Sequence, residues 1–274
     1  MIISIDESYH LSTEEDVVFA DCRFDLQNKT WGEDAYRKEH LPQAVYFDLE
    51  RDLSGEVKST GGRHPLPMLD DFVKTLVQKG ITKQTLVIIY DQNRAFASRL
   101  YWMLQLMQHP KVFLMNGGIE AWKEAGYPVT KDLSIDAKSS YGTYKVNEQI
   151  VADQQYVKEH KDQNNVALID SRSYERYIGK VEPIDQKAGH IPGAFNYEWT
   201  NILDQKKRFR SSEVLKEYFN ELEKMDEIIV YCGSGVTATP NVVALWQAGF
   251  HNVRLYVGSF SDWISNNKNP IKTV

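Results

Sequence analysis

The second half of this 274-residue sequence repeats the first, and this duplication limits the fold more than any other feature of the chain. Four short segments recur in the same order and at a nearly constant offset. The matching pairs are "VVFADCRFD" (17–25) with "VALIDSRSY" (166–174), "HLPQAVYFD" (40–48) with "HIPGAFNYE" (190–198), "LVIIYD" (86–91) with "IIVYC" (228–232), and "NGGIEAW" (116–122) with "VGSFSDW" (257–263). The repeat is far longer than that of a solenoid, so it predicts two copies of one domain.

Each copy alternates short apolar runs with segments of helical spacing. In the second copy, "VALID" and "EIIVYC" are typical of buried parallel strands, whereas "SSEVLKEYFNELEK" (211–224) and "TPNVVALWQAGF" are typical of helices. Strands separated by such helices predict an α/β fold, with a doubly wound, mainly parallel sheet and helices on both faces in each domain. We expect a first domain over 1–133, a polar linker over 134–147 and a second domain over 148–274.

The composition argues against several classes of partner. The formal net charge is -6 and no basic block stands out, so we expect no binding to nucleic acid or to anionic membranes. No run approaches the roughly 20 apolar residues of a membrane helix, and the N-terminus does not read as a signal peptide. The two cysteines, Cys22 and Cys232, show no disulfide framework and no zinc-ligand spacing, which favours a reducing cytoplasm. We therefore expect neither a metal nor an organic cofactor.

Cys232 stands where a parallel strand is predicted to end, directly before the small residues "GSGVTA". Open parallel sheets bind ligands at this edge. The backbone amides of Gly233, Gly235, Val236 and Thr237 can point at the sulfur, and the following helix adds the positive end of its dipole. Both effects stabilise a thiolate, the nucleophilic form, or a negative charge on a second sulfur atom. Cys22 has no glycine turn after it and reads as a small buried hydrophobe.

Tyrosine phosphatases also place a cysteine in a loop at a strand end, but they need an arginine six residues later to grip the phosphate. Ala238 stands at that position, and the loop carries no basic residue. The sequence therefore argues against a phosphatase.

The duplicated halves, the "DSR" and "GHIPGA" segments and the "CGSGVTA" loop together resemble the two-domain rhodanese family over nearly the whole chain. That family comprises thiosulfate and 3-mercaptopyruvate sulfurtransferases. The resemblance implies that Cys232 takes a sulfane sulfur from a small anionic donor as a persulfide and passes it to an acceptor. It also implies a catalytic second half and an inactive first half. In agreement, the repeat places Asp91 where the nucleophile would stand, and aspartate cannot form a persulfide.

The loop next to the nucleophile resembles the branch that uses 3-mercaptopyruvate. Rhodaneses that prefer thiosulfate carry basic residues at the positions of Gly233 and Ser234, which are neutral here. The resemblance to this branch implies a relay of Ser234, His64 in "GGRHPLP" and Asp48 in "VYFDLE". A hydroxyl oriented by an imidazole, itself oriented by a carboxylate, can donate a proton to the leaving enolate.

Arg176, in "DSRSYERYIG", matches the family arginine that binds the anionic group of the donor, and its fork of donors suits a carboxylate or sulfonate. The mercaptopyruvate branch usually has a second arginine shortly before "GHIPG". The segment "KVEPIDQKAGHIPG" contains none, and Lys187 is the expected substitute, as a point charge. Arg172 is expected to pair with Asp170 or with a helix end instead.

Several alternatives stay open at this level. 3-Mercaptopyruvate is the favoured donor and thiosulfate the second choice, while the acceptor is a thiol, thioredoxin included, or cyanide. A thiosulfate-preferring rhodanese is the alternative within the class. A persulfide carrier or regulatory module without turnover is the alternative outside it. His40 and His190, like Trp122 and Trp263, occur in both halves and are expected to be architectural.

Overall fold

A computed structural model describes residues 1–133, 137–138 and 140–274, and the chain forms two compact units. The first contains Met1–Gly55, Leu66–Asn147 and Gln205–Arg208. The second contains Glu56–Pro65, Glu148–Asp204 and Phe209–Val274. Part of the predicted linker, residues 134–136 and 139, lies outside the described residues. No helix within the described ranges is long and apolar enough to cross a membrane.

The first unit contains a parallel sheet that, within the described residues, has five strands. They are β1 (Ile2–Ile3), β2 (Val17–Asp21), β3 (Ala44–Tyr46), β4 (Leu86–Tyr90) and β5 (Val112–Met115), in the spatial order β1-β5-β4-β2-β3. The helices are α1 (Ile5–Glu14), α2 (Trp31–Lys38), α3 (Leu69–Gln78), α4 (Ala95–Leu106) and α5 (Gly118–Glu124).

The second unit has the same strand order, which confirms the duplication that the sequence predicts. Its strands are β6 (Val151–Ala152), β7 (Val166–Asp170), β8 (Phe195–Asn196), β9 (Glu227–Tyr231) and β10 (Val253–Tyr256), and they pair in parallel in the order β6-β10-β9-β7-β8. Its helices are α6 (Gln154–His160), α7 (Tyr174–Tyr177), α8 (Ser212–Tyr218), α9 (Thr239–Gln247) and α10 (Ser259–Trp263). Short 3-10 turns cover Glu148–Ile150, Trp199–Ile202 and Asn220–Leu222.

The central strand β9 is buried along its whole length, as its unbroken apolar run predicts. Ile229 and Tyr231 point into a cluster with Phe260 and Trp263 of α10. Because side chains alternate along a strand, Val230 points to the opposite face, and it is also fully buried. Both faces of the sheet are therefore covered, as expected for a doubly wound fold.

One predicted helix is shorter than its pattern suggests. The spacing over 211–224 predicts a continuous helix, but α8 ends at Tyr218 and a separate 3-10 turn follows over Asn220–Leu222. Phe219 leaves helical geometry between them, and its ring packs against Tyr197 and Phe250. Tertiary packing of this aromatic side chain therefore overrides the helical pattern.

The residues repeated in both halves hold equivalent parts of each unit together. His40 and His190 each bond through Nδ1 to a tyrosine carbonyl at 2.7 Å. Trp122 and Trp263 each donate an indole N–H to a proline carbonyl at 2.8 Å. These identical contacts in the two units confirm the architectural role predicted for all four residues.

Candidate active site

Cys232 is the first residue after β9 and is fixed by its backbone. Its amide donates to the hydroxyl of Ser259 at 3.1 Å, and its carbonyl accepts from the amide of Phe260 at 3.0 Å. Both partners lie at the start of α10, so the loop cannot shift without moving that helix. The residue is only 1% exposed, which keeps bulk water away from the thiol.

The loop after Cys232 curls back toward the sulfur, as the small residues predict. The amide of Gly235 donates to Sγ of Cys232 at 3.2 Å. Gly235 has φ +75°, and a Cβ at this position would lie 2.1 Å from the carbonyl oxygen of Val257. Only glycine fits here, because a side chain would meet backbone in a conformation that is itself strained.

The other loop residues lead from this turn into α9. Gly233 accepts the amide of Ser261 at 2.9 Å, and Val236 accepts the hydroxyl of Thr239, the first residue of α9, at 2.7 Å. Thr237 is half-buried. The predicted contact of these three residues with a bound donor stays a prediction.

Ser234 and His64 are brought together by the structure. Nδ1 of His64 lies 2.8 Å from the hydroxyl oxygen of Ser234, and both residues are 8% exposed. This contact is internal to the second unit, because His64 belongs to the segment Glu56–Pro65.

That segment is anchored immediately before His64. The amide of Gly61 donates to the carboxylate of Asp262 at 2.6 Å, and the amide of Arg63 donates to the hydroxyl of Ser261 at 3.1 Å. Between them, a Cβ on Gly62 would lie 2.3 Å from the carbonyl oxygen of Gly258. The segment therefore lies directly against the residues that begin α10.

Arg176, in α7, faces the loop from another side. Its Nε and Nη2 atoms donate to Glu182 at 3.1 and 2.8 Å, and Nη2 also donates to Asp185 at 2.9 Å. A Cβ on Gly233 would lie 3.4 Å from that Nη2. The predicted anion-binding guanidinium is therefore adjacent to the loop, and its orientation is set by two carboxylates.

Arg63 is a residue that sequence reasoning missed. Its guanidinium pairs with Asp185 through Nη1, and Nη2 lies 2.9 Å from the position of a Cβ on Gly233. Burial lowers the pKa of this guanidinium, and the negative charge of the Cys232 thiolate acts in the opposite direction. The available signal in the sequence was its place beside His64 in "GGRHPLP".

The remaining candidates have other described contacts. Lys187 donates its ammonium to the side chain of Asn267 at 2.9 Å. Asp48 belongs to the first unit, where its carboxylate accepts the amides of Glu50 and Arg51 at 2.9 Å each. Arg172 pairs with Asp170 at 2.6 Å, as predicted.

The equivalent loop of the first unit contains its own anion. Asp91 follows β4, and its Oδ1 accepts the amide of Asn93 at 3.0 Å. Its Oδ2 accepts the amides of Phe96 and Ala97 at 2.8 and 2.9 Å. A carboxylate thus occupies the cradle of amides in the copy that lacks the cysteine.

Comparison with known proteins identifies the class to which this fold and loop belong. The rhodanese-like domain matches residues 4–125 and 153–266, and the chain belongs to the rhodanese family. A Pseudomonas aeruginosa protein named "Probable 3-mercaptopyruvate sulfurtransferase" is 39% identical over 95% of this chain and 94% of its own length.

Two further relatives represent both branches of the family. Rat thiosulfate sulfurtransferase is 30% identical over 83% of this chain and 78% of its own length. The structure of 3-mercaptopyruvate sulfurtransferase from Leishmania major superposes with a TM-score of 0.82 at 28% identity, covering 95% of this chain and 73% of that one.

Proposed function

We propose that this protein is a sulfurtransferase in which Cys232 carries sulfur as a persulfide between a small anionic donor and a nucleophilic acceptor. The observation that carries the proposal is the thiol at the end of β9 with the Gly235 amide directed at its sulfur, 3.2 Å away. A backbone N–H group that stabilises negative charge on this sulfur also stabilises the outer sulfur of a persulfide anion. The names of the relatives support the same activity.

With 3-mercaptopyruvate as the donor, the thiolate of Cys232 attacks the donor sulfur. A bond forms between the two sulfur atoms, and the bond between sulfur and carbon breaks. The electron pair of the broken bond stays on carbon as the enolate of pyruvate, which then takes a proton. Cys232 is left as a persulfide, and no external oxidant or reductant is consumed.

Ser234 and His64 are the groups proposed to assist this leaving enolate. The hydroxyl of Ser234, 2.8 Å from the imidazole of His64, can give its proton to the enolate and be resupplied by the ring. Asp48 is proposed as the carboxylate that orients His64, on the strength of the resemblance to the mercaptopyruvate branch.

In the second half of the cycle, a thiolate acceptor attacks the outer sulfur of the persulfide. The bond between the two sulfur atoms breaks, the Cys232 thiolate leaves, and the acceptor becomes a persulfide. Thioredoxin or a low-molecular-weight thiol fits this step. Cyanide attacks the same outer sulfur through its carbon atom and leaves as thiocyanate, which again frees the Cys232 thiolate. We propose that the enzyme acts in the cytoplasm, where a free thiol such as Cys232 stays reduced.

3-Mercaptopyruvate is the preferred donor in this proposal and thiosulfate is the second candidate. Neutral Gly233 and Ser234 support the first choice. The two guanidinium groups beside Gly233 keep thiosulfate as a candidate, because they can hold a sulfonate as well as a carboxylate.

The test is to incubate the protein with each donor and to measure its intact mass. We expect a gain of one sulfur atom that is lost on addition of a thiol acceptor. Cys232→Ser should abolish the gain and all turnover. The matched Cys22→Ser variant should keep both, because burial and the nearby carboxylates of Asp91 and Asp21 raise the pKa of the Cys22 thiol and keep it in the non-nucleophilic form. If neither donor adds sulfur to the wild-type protein, it is a binding module and the proposal is wrong.

A further inference from the structure

Arg63 and Arg176 approach the nucleophile loop together, although they lie far apart in the sequence. Their Nη2 atoms would lie 2.9 and 3.4 Å from a Cβ on Gly233, the residue directly after Cys232. Such close approach is tolerated because Gly233 has no side chain. The two guanidinium groups are therefore directed at the same short stretch of backbone beside the thiol.

Resting on the proposed sulfur transfer, we propose that Arg63, rather than Lys187, is the second cation of the donor site, and that Asp185 sets the preference of this site for a donor with one negative charge. Arg63 and Arg176 bind the anionic group of the donor from two sides. Asp185 is a positioning residue that holds the pair in place.

The hydrogen bonds of Arg63 and Arg176 leave room for a ligand. Arg63 donates through Nη1 to Asp185, so among the described residues its Nε and Nη2 atoms are available. Arg176 uses Nε and Nη2 on Glu182 and Asp185, which leaves Nη1. A planar guanidinium can give two parallel hydrogen bonds to a carboxylate or sulfonate, and Arg63 can do so through Nε and Nη2, while Arg176 adds a single donor atom, Nη1.

The backbone of Arg63 is fixed well enough to define a site. Its amide is held by the hydroxyl of Ser261, whose own amide donates to Gly233. Arg63 and the nucleophile loop are thus attached to the same residue of α10. A guanidinium with a fixed base loses little additional freedom when it binds a donor.

A small anion can reach Arg63 from solvent. Arg63 and Asp185 line a cavity of about 420 Å³, together with Gly62 and Ser261. The side chain of Arg63 is 32% exposed, whereas that of Asp185 is 1% exposed. The arginine therefore presents its charge to an entering donor, while the carboxylate stays behind it.

Charge balance is the reason to assign the donor preference to Asp185. Three guanidinium groups and three carboxylates form one connected cluster of ion pairs, made of Arg63, Arg172, Arg176, Asp170, Glu182 and Asp185. The net charge of the site without a donor is therefore close to zero. A donor with one negative charge leaves a net charge of about minus one in a partly buried site, and a dianion leaves about minus two. The carboxylate of mercaptopyruvate is therefore favoured over thiosulfate.

Lys187 is the rival for the same role. Its ammonium donates to Asn267, and it offers a point charge instead of a fork. The two assignments predict different variants to be defective, so they can be separated directly.

The first experiment compares two alkylating reagents at Cys232 and needs no sulfur donor. Iodoacetate carries a carboxylate, iodoacetamide is its neutral analogue, and both need the same access to the thiol. The ratio of their rates, followed by peptide mass spectrometry at Cys232, therefore isolates the attraction for an anion. We expect Arg63→Ala to lower this ratio about tenfold, the effect of one hydrogen bond to a charged group, and Arg63→Lys to restore part of it.

Asp185→Asn should raise the ratio, because it leaves both guanidinium groups without their shared counter-charge. Arg210→Ala is the matched control, since Arg210 is an exposed arginine of the same unit whose Nε donates to the carbonyl of Asn201. An unchanged ratio in Arg63→Ala, or a fall in Lys187→Ala with none in Arg63→Ala, overturns the proposal.

The second experiment measures turnover with both donors. Arg63→Ala should raise the KM for mercaptopyruvate about tenfold with a smaller change in kcat, because the contact is made to a group that does not react. Asp185→Asn should raise kcat/KM for thiosulfate relative to kcat/KM for mercaptopyruvate. If the ratio of these two values does not change, the role proposed for Asp185 is wrong. Absence of turnover in the wild-type protein refutes the sulfurtransferase function instead, and the alkylation ratio then still decides whether Arg63 forms an anion site.

Discussion

Replacing Asp91 by asparagine tests whether the loop of the first unit needs the anion that it contains. The Oδ2 atom accepts the amides of Phe96 and Ala97, and the Oδ1 atom accepts that of Asn93. The Oδ1 atom also accepts the amide of Arg94. Asparagine has almost the same shape, but one of its two terminal atoms is an NH2 group. Whichever way the amide turns, two backbone N–H groups face a donor.

The cost follows from these contacts. Hydrogen bonds to a charged acceptor contribute about 1.5–3 kcal/mol each, so the loss of two predicts a fall of about 3–6 kcal/mol in the free energy of unfolding of the first unit. The Asp91 side chain is fully buried, so solvent does not replace the lost acceptors. For a urea dependence of about 2 kcal/mol/M, this corresponds to a midpoint roughly 2 M lower.

The assay is the urea dependence of hydrogen exchange in peptides from α4, with peptides from α9 as the internal reference for the second unit. Following each unit separately avoids treating a chain with two units as a single transition. Asp16→Asn removes the same charge from an exposed position of the first unit and should shift the midpoint by far less. A loss below about 1 kcal/mol for Asp91→Asn would mean that the carboxylate is not what holds the loop.

Three further predictions concern the loop, the relay and the response to pH. Gly235→Ala should lower the melting temperature more than Gly249→Ala. Both have positive φ, but a Cβ meets Val257 at 2.1 Å in the first case and nothing within 4 Å in the second, and equal shifts would contradict this. Ser234→Ala and His64→Ala should each slow mercaptopyruvate turnover by about 100-fold, and the double variant should be no slower than the worse single variant. If the losses in steady-state rate add in the double variant, the two residues act independently and do not form a relay. Burial lowers the pKa of His109 below 6.5, so the folded state binds its proton less readily than the unfolded chain does. The stability of the first unit should therefore fall as the pH drops below this value. His109→Gln should reduce the change of stability with pH, measured by hydrogen exchange of the first unit at several pH values. If the pH dependence is unchanged in this variant, other titrating groups cause it.

Local pattern was sufficient to predict the architecture and the nucleophile loop. The unbroken apolar run of β9 followed by small residues placed Cys232 at a strand end, and the repeat distinguished it from Asp91. Both conclusions depend only on neighbours along the chain or on comparison of one half with the other.

Contacts between distant segments were harder to predict. The bond between Ser234 and His64 was expected only through the resemblance to a known family. Arg63 was missed, because nothing local shows that its segment packs on Ser261 and Gly233. For the same reason the second cation was sought near "GHIPG", where Lys187 is the basic residue. The charge of a site is set by residues that converge in space, and a single sequence shows this only where a motif is already known.

The segment Glu56–Pro65 has a consequence for the history of this gene. It is encoded within the first repeat, yet it packs in the second unit and supplies His64 and Arg63 to the surroundings of Cys232. A gene split between the two repeats would leave the nucleophile on one product and these two side chains on the other. With Cys232 as the proposed nucleophile, deletion of the first repeat would also remove His64 and Arg63 from its surroundings, so the first repeat is not a redundant duplicate.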